Sequence, residues 1–158
     1  MRLYIVRHGE AMNQGGPERS LTPQGAAEVD IAGLLLAAES VERVLYSPKL
    51  RTRQTTERIL AAVGEVPAAE EMSLLPPSSY RQVAGAAESA GVDRLVLVSH
   101  LPLVAELVGW FCSGHPADYP LPGFPSGGIV ALDMEIPECG VASLAWYAFP
   151  PDYQRLTH

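Results

Sequence analysis

Two kinds of apolar run alternate along this chain. Leu3-Tyr4-Ile5-Val6, Arg43-Val44-Leu45-Tyr46 and Arg94-Leu95-Val96-Leu97-Val98 are short and unbroken, as expected of strands buried on both faces of a parallel sheet. Between them the apolar positions recur at helical spacing. Ala26 to Ala38 continues a helix opened by Thr22 as its cap and Pro23 at its first position, with Val29, Ala32 and Leu35 or Leu36 facing the sheet. Ser47-Pro48 repeats that cap-and-proline signal and predicts a helix over Pro48 to Val63, with Arg51, Thr52, Gln54 and Thr55 in its opening turns. Val66 to Glu70 predicts a short third strand. Ser79 to Ala90 predicts a helix ended by Gly91, a residue suited to a left-handed cap, and Leu101-Pro102 opens another that runs to about Cys112.

Ala11 to Ser20 and Ser73 to Ser79 read as loops, and the Pro- and Gly-rich stretch Gly114 to Gly128 carries no regular pattern. Ile129 to Ile136 and Val141 to Phe149 predict a hairpin joined by Pro137 to Gly140, followed by a frayed polar tail. The succession βαβαβαβα plus hairpin predicts an α/β fold, a three-layer sandwich whose central sheet is mostly parallel. At 158 residues the chain suits one domain.

Composition narrows the partners. A net charge of −7, with no run of Lys or Arg, argues against nucleic acid or an anionic membrane surface, so any anion site must be local. No apolar stretch reaches the ~20 residues of a membrane span, and Arg7 and His8 interrupt the only N-terminal apolar run, so a cytoplasmic protein is expected. Cys112 and Cys139 imply neither a disulfide framework nor a metal site and are expected as free, partly buried thiols. His115 and His158 have no supporting context and are read as surface residues.

The candidate chemistry lies where the strands end. The first strand runs into Arg7-His8-Gly9, the second leads to Arg51 in the first turns of a helix, and the strand that starts at Arg94 ends in His100. In open α/β sheets the C-terminal edge is where ligands bind. Gly9 is expected to let the backbone pass close to a ligand. Two arginines can hold a phosphoryl group by forked hydrogen bonds, a neutral imidazole is a competent nucleophile toward phosphorus, and a second imidazole can donate to the equatorial oxygens. No Asp, Glu or His cluster has metal-ligand spacing, so phosphoryl transfer with neither metal nor cofactor is implied. The lack of a Gly-x-Gly-x-x-Gly after the first strand argues against a dinucleotide-binding domain.

Arg7-His8-Gly9-Glu10, Leu21-Thr22-Pro23-Gln24-Gly25, Ser47-Pro48-Lys49-Leu50-Arg51 with Gln54-Thr55, and Val98-Ser99-His100 resemble, in order, the motifs of the histidine phosphatase superfamily, which includes the phosphoglycerate mutases. The short chain and Ser99-His100-Leu101-Pro102-Leu103-Val104 resemble its SixA branch of small phosphohistidine phosphatases. The resemblance implies a phosphoglycerate mutase-like fold with His8 as nucleophile and Arg7, Arg51 and His100 completing the phosphate pocket. The His8 ring nitrogen not used for attack is expected to donate to a backbone carbonyl, fixing the tautomer.

The departures from the larger relatives bear on substrate. Those carry a carboxylate general acid between the middle strands; here that stretch is Met72-Ser73-Leu74-Leu75-Pro76-Pro77, without an acid. Glu10 is a candidate proton donor, with Glu70 and Glu71 the other carboxylates near in sequence. An alkoxide needs a proton to leave, whereas phosphohistidine leaves as an imidazole whose conjugate acid has a pKa of ~6.5. The expected substrate is therefore a phosphohistidine borne by a protein. The alternatives are a phosphomonoesterase for a small sugar or nucleotide phosphate and a phosphate-binding module without turnover; a mutase, which must shield its phosphoenzyme from water, fits less well.

Overall fold

The computed structural model describes residues 1–157; His158 lies outside the described residues. Six strands form one sheet: β1 (Arg2–Arg7), β2 (Arg43–Tyr46), β3 (Ala68–Glu70), β4 (Arg94–Ser99), β5 (Ile129–Asp133) and β6 (Ser143–Ala148), in the order β3-β2-β4-β1-β5-β6. β1 to β4 are parallel, and β5 pairs antiparallel with both β1 and β6. Alternate side chains divide the core. Leu3, Ile5, Leu95 and Leu97 pack with α3 (Tyr80–Ser89) and α4 (Leu103–Ser113); Tyr4, Val6, Val96 and Val98 pack with α1 (Pro23–Ala37) and α2 (Leu50–Val63). Helices on both faces of the sheet make the three predicted layers.

This topology creates the crevice. β1 and β4 are neighbours, yet β1 connects through α1 on one face toward β2, while β4 connects through α4 on the other face toward β5. The two chains diverge beyond the carboxyl ends of adjacent strands, which opens a cleft there. The register sets Arg7 opposite Ser99, and the His8 N–H donates to the Ser99 carbonyl at 3.0 Å, so His8 and His100 leave the sheet side by side.

Local chemistry accounts for most boundaries. Thr22 accepts the Gly25 N–H at 2.9 Å and Ser79 accepts that of Gln82, as N-caps should. Gly25 is dictated by sterics, because a Cβ there would lie 2.3 Å from the Glu10 carbonyl oxygen and only glycine lets α1 meet the strand end. At Gly9 a Cβ would lie 2.7 Å from Val29 Cγ2, so the constraint is packing against α1 rather than the expected approach to a ligand.

Four further expectations need correction. α2 begins at Leu50 after an extended Lys49, so Ser47 is not its cap; the Ser47 hydroxyl is engaged elsewhere, with Thr52 and His100. The hairpin strands are shorter than predicted, because their connection pairs with α4 instead of itself: Gly140 and Ala142 donate to the Trp110 and Phe111 carbonyls. The tail is docked rather than frayed as far as Leu156. Tyr153 is buried and bonds the Gly127 carbonyl at 2.9 Å, Leu156 exchanges both backbone bonds with Tyr147, and Arg155 lies over the Trp146 ring. Cys139 is exposed rather than partly buried; Cys112 is half-buried, and both thiols are free. His115 is exposed as expected. No helix among the described residues is long and apolar enough to cross a membrane.

Candidate active site

Four side chains named from sequence are brought to one place at the sheet's C-terminal edge. The His8 ring is buried, and its Nδ1 lies 2.7 Å from the Gly9 carbonyl oxygen. A carbonyl only accepts, so Nδ1 carries the proton and Nε2 is left as a bare lone pair. The Arg51 Nε–H points at that lone pair from 3.3 Å. The His100 ring centroid is 5.2 Å from that of His8. Arg7 donates from Nη1 to the Phe124 carbonyl at 2.8 Å, while its buried Nε has no partner; His100 Nδ1 is likewise buried and unpartnered. Buried polar groups without partners are uncommon in native proteins, and two of them, a guanidinium donor and an imidazole nitrogen, lie in this one crevice.

Electrostatics point the same way. Burial, reinforced by Arg51, Arg7 and Arg19 against the opposing Gly9 bond, pushes the His8 imidazole down to about 4. His100 falls to about 3, chiefly through burial and then through His8, Arg51, Lys49 and Arg19. Burial also lowers the Arg7 and Arg51 guanidiniums. Both imidazoles are therefore neutral at pH 7 and sit among cations, and among the described residues no ion pair joins Arg7, Arg19 or Arg51 to a carboxylate. The crevice is short of negative charge, as a site for a tetrahedral oxyanion should be.

The supports come from distant parts of the chain. Thr55 accepts the Gly9 N–H at 3.0 Å and donates to the Arg51 carbonyl, tying the His8 turn to α2. Gln54 accepts the Leu21 N–H at 2.8 Å. The unassigned 114–128 loop is the third wall. Gly127, at φ 76°, donates to the carbonyls of both Arg7 and His8 at 3.0 Å, and Phe124 positions the Arg7 guanidinium. Sequence reasoning missed this loop, whose contributions are largely backbone groups, and Arg19, held through Nη1 to the Met12 carbonyl at 3.3 Å. A basic residue in the loop beside the predicted crevice was the one available signal.

The candidate acids are placed less favourably. Glu10 is exposed and its Oε1 accepts the Thr22 hydroxyl at 2.8 Å. Glu70 lies 3.7 Å from Arg53, and Glu71 accepts from Ser73. Among the described residues no group of three or more His, Cys, Asp or Glu is placed to hold a metal ion.

A neutral imidazole with its lone pair facing the Arg51 guanidinium, and with a second arginine beside it in sequence, at the switch point of a doubly covered sheet, defines a phosphoryl-transfer protein of the α/β class. The family model of the histidine phosphatase superfamily (branch 1) matches residues 3–75. The chain is 32% identical to phosphohistidine phosphatase SixA of Escherichia coli (strain K12), over 95% of this chain and 94% of that protein. A solved structure of the protein histidine phosphatase SixA complexed with tungstate superposes with a TM-score of 0.79 at 30% identity, covering 93% of this chain and 96% of that one. A mycobacterial glucosyl-3-phosphoglycerate phosphatase shares the fold, with a TM-score of 0.72 at 18% identity over 91% and 97% of the two chains. The chain belongs to the histidine phosphatase superfamily.

Proposed function

We propose that the protein is a phosphohistidine phosphatase that takes a phosphoryl group from a histidine on another protein, with His8 as its nucleophile. His8 Nε2 forms a bond to phosphorus as the bond to the substrate imidazole breaks, and the departing ring takes a proton from solvent. Water then attacks the phosphorylated His8, its P–N bond breaks and inorganic phosphate leaves. Arg7 and Arg51 hold the transferring group by forked bonds, and His100 contributes a donor to its oxygens. The observation that carries this reading is the His8 tautomer: Nδ1 held by Gly9 leaves Nε2 bare beside Arg51.

The choice of a protein-borne substrate has separate support. Glu10, Glu70 and Glu71 are each engaged outside the four-residue cluster, which suits a leaving group that needs little protonation. Met12, Met72 and Leu101, all exposed, follow β1, β3 and β4 at the sheet edge that carries His8, apolar side chains that a protein partner would cover and a small sugar phosphate would not need. In this reading the whole chain acts as one domain. It works in the cytoplasm, where free thiols stay reduced.

The test compares wild type with His8→Ala, in a chelator, on a phosphohistidine protein, free phosphohistidine and a panel of sugar phosphates. Wild type is expected to turn over the protein substrate fastest and the variant to turn over none. Inert phosphohistidine proteins with brisk sugar phosphate hydrolysis would make the protein a phosphomonoesterase. Turnover by the variant would end the covalent mechanism, and binding without turnover by wild type would leave a phosphate-binding module.

A further inference from the structure

Ser47 and Thr52 are fully buried beside His100, in a chain of hydroxyls whose protons can be counted. The Thr52 Oγ1 lies 2.6 Å from the Ser47 carbonyl and 2.8 Å from the Lys49 carbonyl. Carbonyls only accept, so the single hydroxyl proton of Thr52 is committed to them. Toward the Ser47 Oγ, 3.0 Å away, Thr52 can therefore only accept, and Ser47 must donate. That consumes the one proton of Ser47, whose Oγ also contacts His100 Nε2 and must accept there. Nε2 therefore carries the hydrogen, and the neutral ring's bare lone pair is Nδ1, the buried atom without a partner.

The assignment creates a mismatch with an anion. A bare Nδ1 repels a phosphoryl oxygen, and a flip to the Nδ1–H tautomer would need the Ser47 proton for Nε2, leaving two oxygen lone pairs facing each other at 3.0 Å. Resting on the site reading above, we infer that Ser47 and Thr52 are positioning residues that hold His100 as its Nε2–H tautomer, so that an incoming phosphoryl dianion is bound together with one proton, taken up at Nδ1. The proton comes from solvent, and bound His100 is an imidazolium donating from Nε2 to Ser47 and from Nδ1 to the oxyanion. In the free protein burial opposes that proton, and His8, Arg51, Lys49 and Arg19 add to the opposition. The dianion supplies the missing charge, which couples protonation to ligand capture.

Tungstate, a dianion at neutral and mildly alkaline pH, is a probe that requires no turnover and no knowledge of the substrate. Nitrogen-15 NMR of histidine-labelled protein, assigned by single histidine substitutions, is expected to show His100 protonated at Nε2 alone when free and at both nitrogens in the complex. Calorimetry in buffers of different ionisation enthalpy reads total proton uptake, to which His8 can also contribute. Thr52→Val removes the acceptor that fixes Ser47, freeing Ser47 to donate to Nε2 and His100 to bind as the neutral Nδ1–H form. Between pH 7 and 8.5 the wild-type dissociation constant should therefore rise with a slope steeper by up to tenfold per pH unit than that of Thr52→Val, and Thr52→Ser should restore the wild-type slope. A His100 carrying its proton on Nδ1 in the free protein overturns the inference whether or not Thr52→Val folds. So does an equal pH slope in wild type and a folded Thr52→Val. A failure of tungstate to bind at all would instead strike at the site reading.

Discussion

The two edges of the sheet use the same residue types in opposite ways. At the N-terminal edge Arg2 makes a forked pair with Asp133 at 2.7 and 2.9 Å and lies 3.5 Å from Glu39. Arg94 donates to the Tyr4 hydroxyl and the Glu39 carbonyl, and Tyr4 donates to the Glu39 carboxylate. Arg2 pulls Asp133 below the usual carboxylate range and is itself raised by it. Arg43 nearby has one unpartnered nitrogen, but the Arg2–Asp133–Glu39 network is satisfied internally. At the C-terminal edge no ion pair among the described residues joins Arg7, Arg51 or Arg19 to a carboxylate, and their fields fall on two neutral imidazoles. A closed network holds a structure together, whereas one left short of an anion is arranged for a ligand.

Substitutions should separate the edges, the largest effect first. His8→Ala should lower phosphohistidine turnover by at least about 10⁴-fold, measured as phosphate release, with the fold intact by circular dichroism. Arg7→Lys keeps the charge and loses the fork, and should lower kcat/KM by about 10²-fold. Its stability in urea should fall by no more than the loss of the Phe124 hydrogen bond, about 1 kcal/mol, because no counter-anion is lost. Arg2→Met should instead leave kcat/KM unchanged and lower stability by up to about 1 kcal/mol, since the Arg2–Asp133 pair is partly exposed and screened. A fall in activity for Arg2→Met would break the contrast between edges.

Acid should act through the open edge. Both imidazoles are held well below the usual histidine range, so the unfolded chain binds more protons than the folded one from about pH 6.5 down to about 4 for His8 and about 3 for His100. Their contribution to stability is full above pH 6.5 and is lost as pH falls through that window, by roughly 2 kcal/mol per ring at pH 5. Urea titrations at pH 7 and pH 5 check this, and His8→Asn should show the shallower dependence. Tungstate should reduce the loss by favouring protonated rings in the folded state. The smallest effect is expected of Glu10→Gln, which should change phosphohistidine turnover by less than about 3-fold, because the leaving imidazole needs little help. A large loss would restore Glu10 as the proton donor.

The element order, the sheet edge and His8, Arg7, Arg51 and His100 were legible because each follows a strand or opens a helix whose apolar periodicity is plain. The 114–128 wall was not. It acts through the Phe124 carbonyl and the Gly127 N–H, groups that carry no side-chain signature, on a side chain 117 positions away. The docked tail escaped notice for a related reason, since Tyr153 and Leu156 are single anchors in a polar stretch and periodicity cannot register one residue. Ser47 was misread as a cap because a serine before a proline carries the same local signal whether its hydroxyl turns to the helix or to a histidine two strands of sequence later.

A covalent intermediate on His8 is tested most sharply by locating the phosphoryl group during turnover. Wild-type protein mixed with a phosphorylated histidine protein, quenched in alkali within one turnover and followed by phosphorus NMR and peptide mass spectrometry, should carry phosphate on Nε2 of His8. Phosphate found on His100, on Nδ1 of His8, or on no enzyme side chain while substrate is consumed would contradict it.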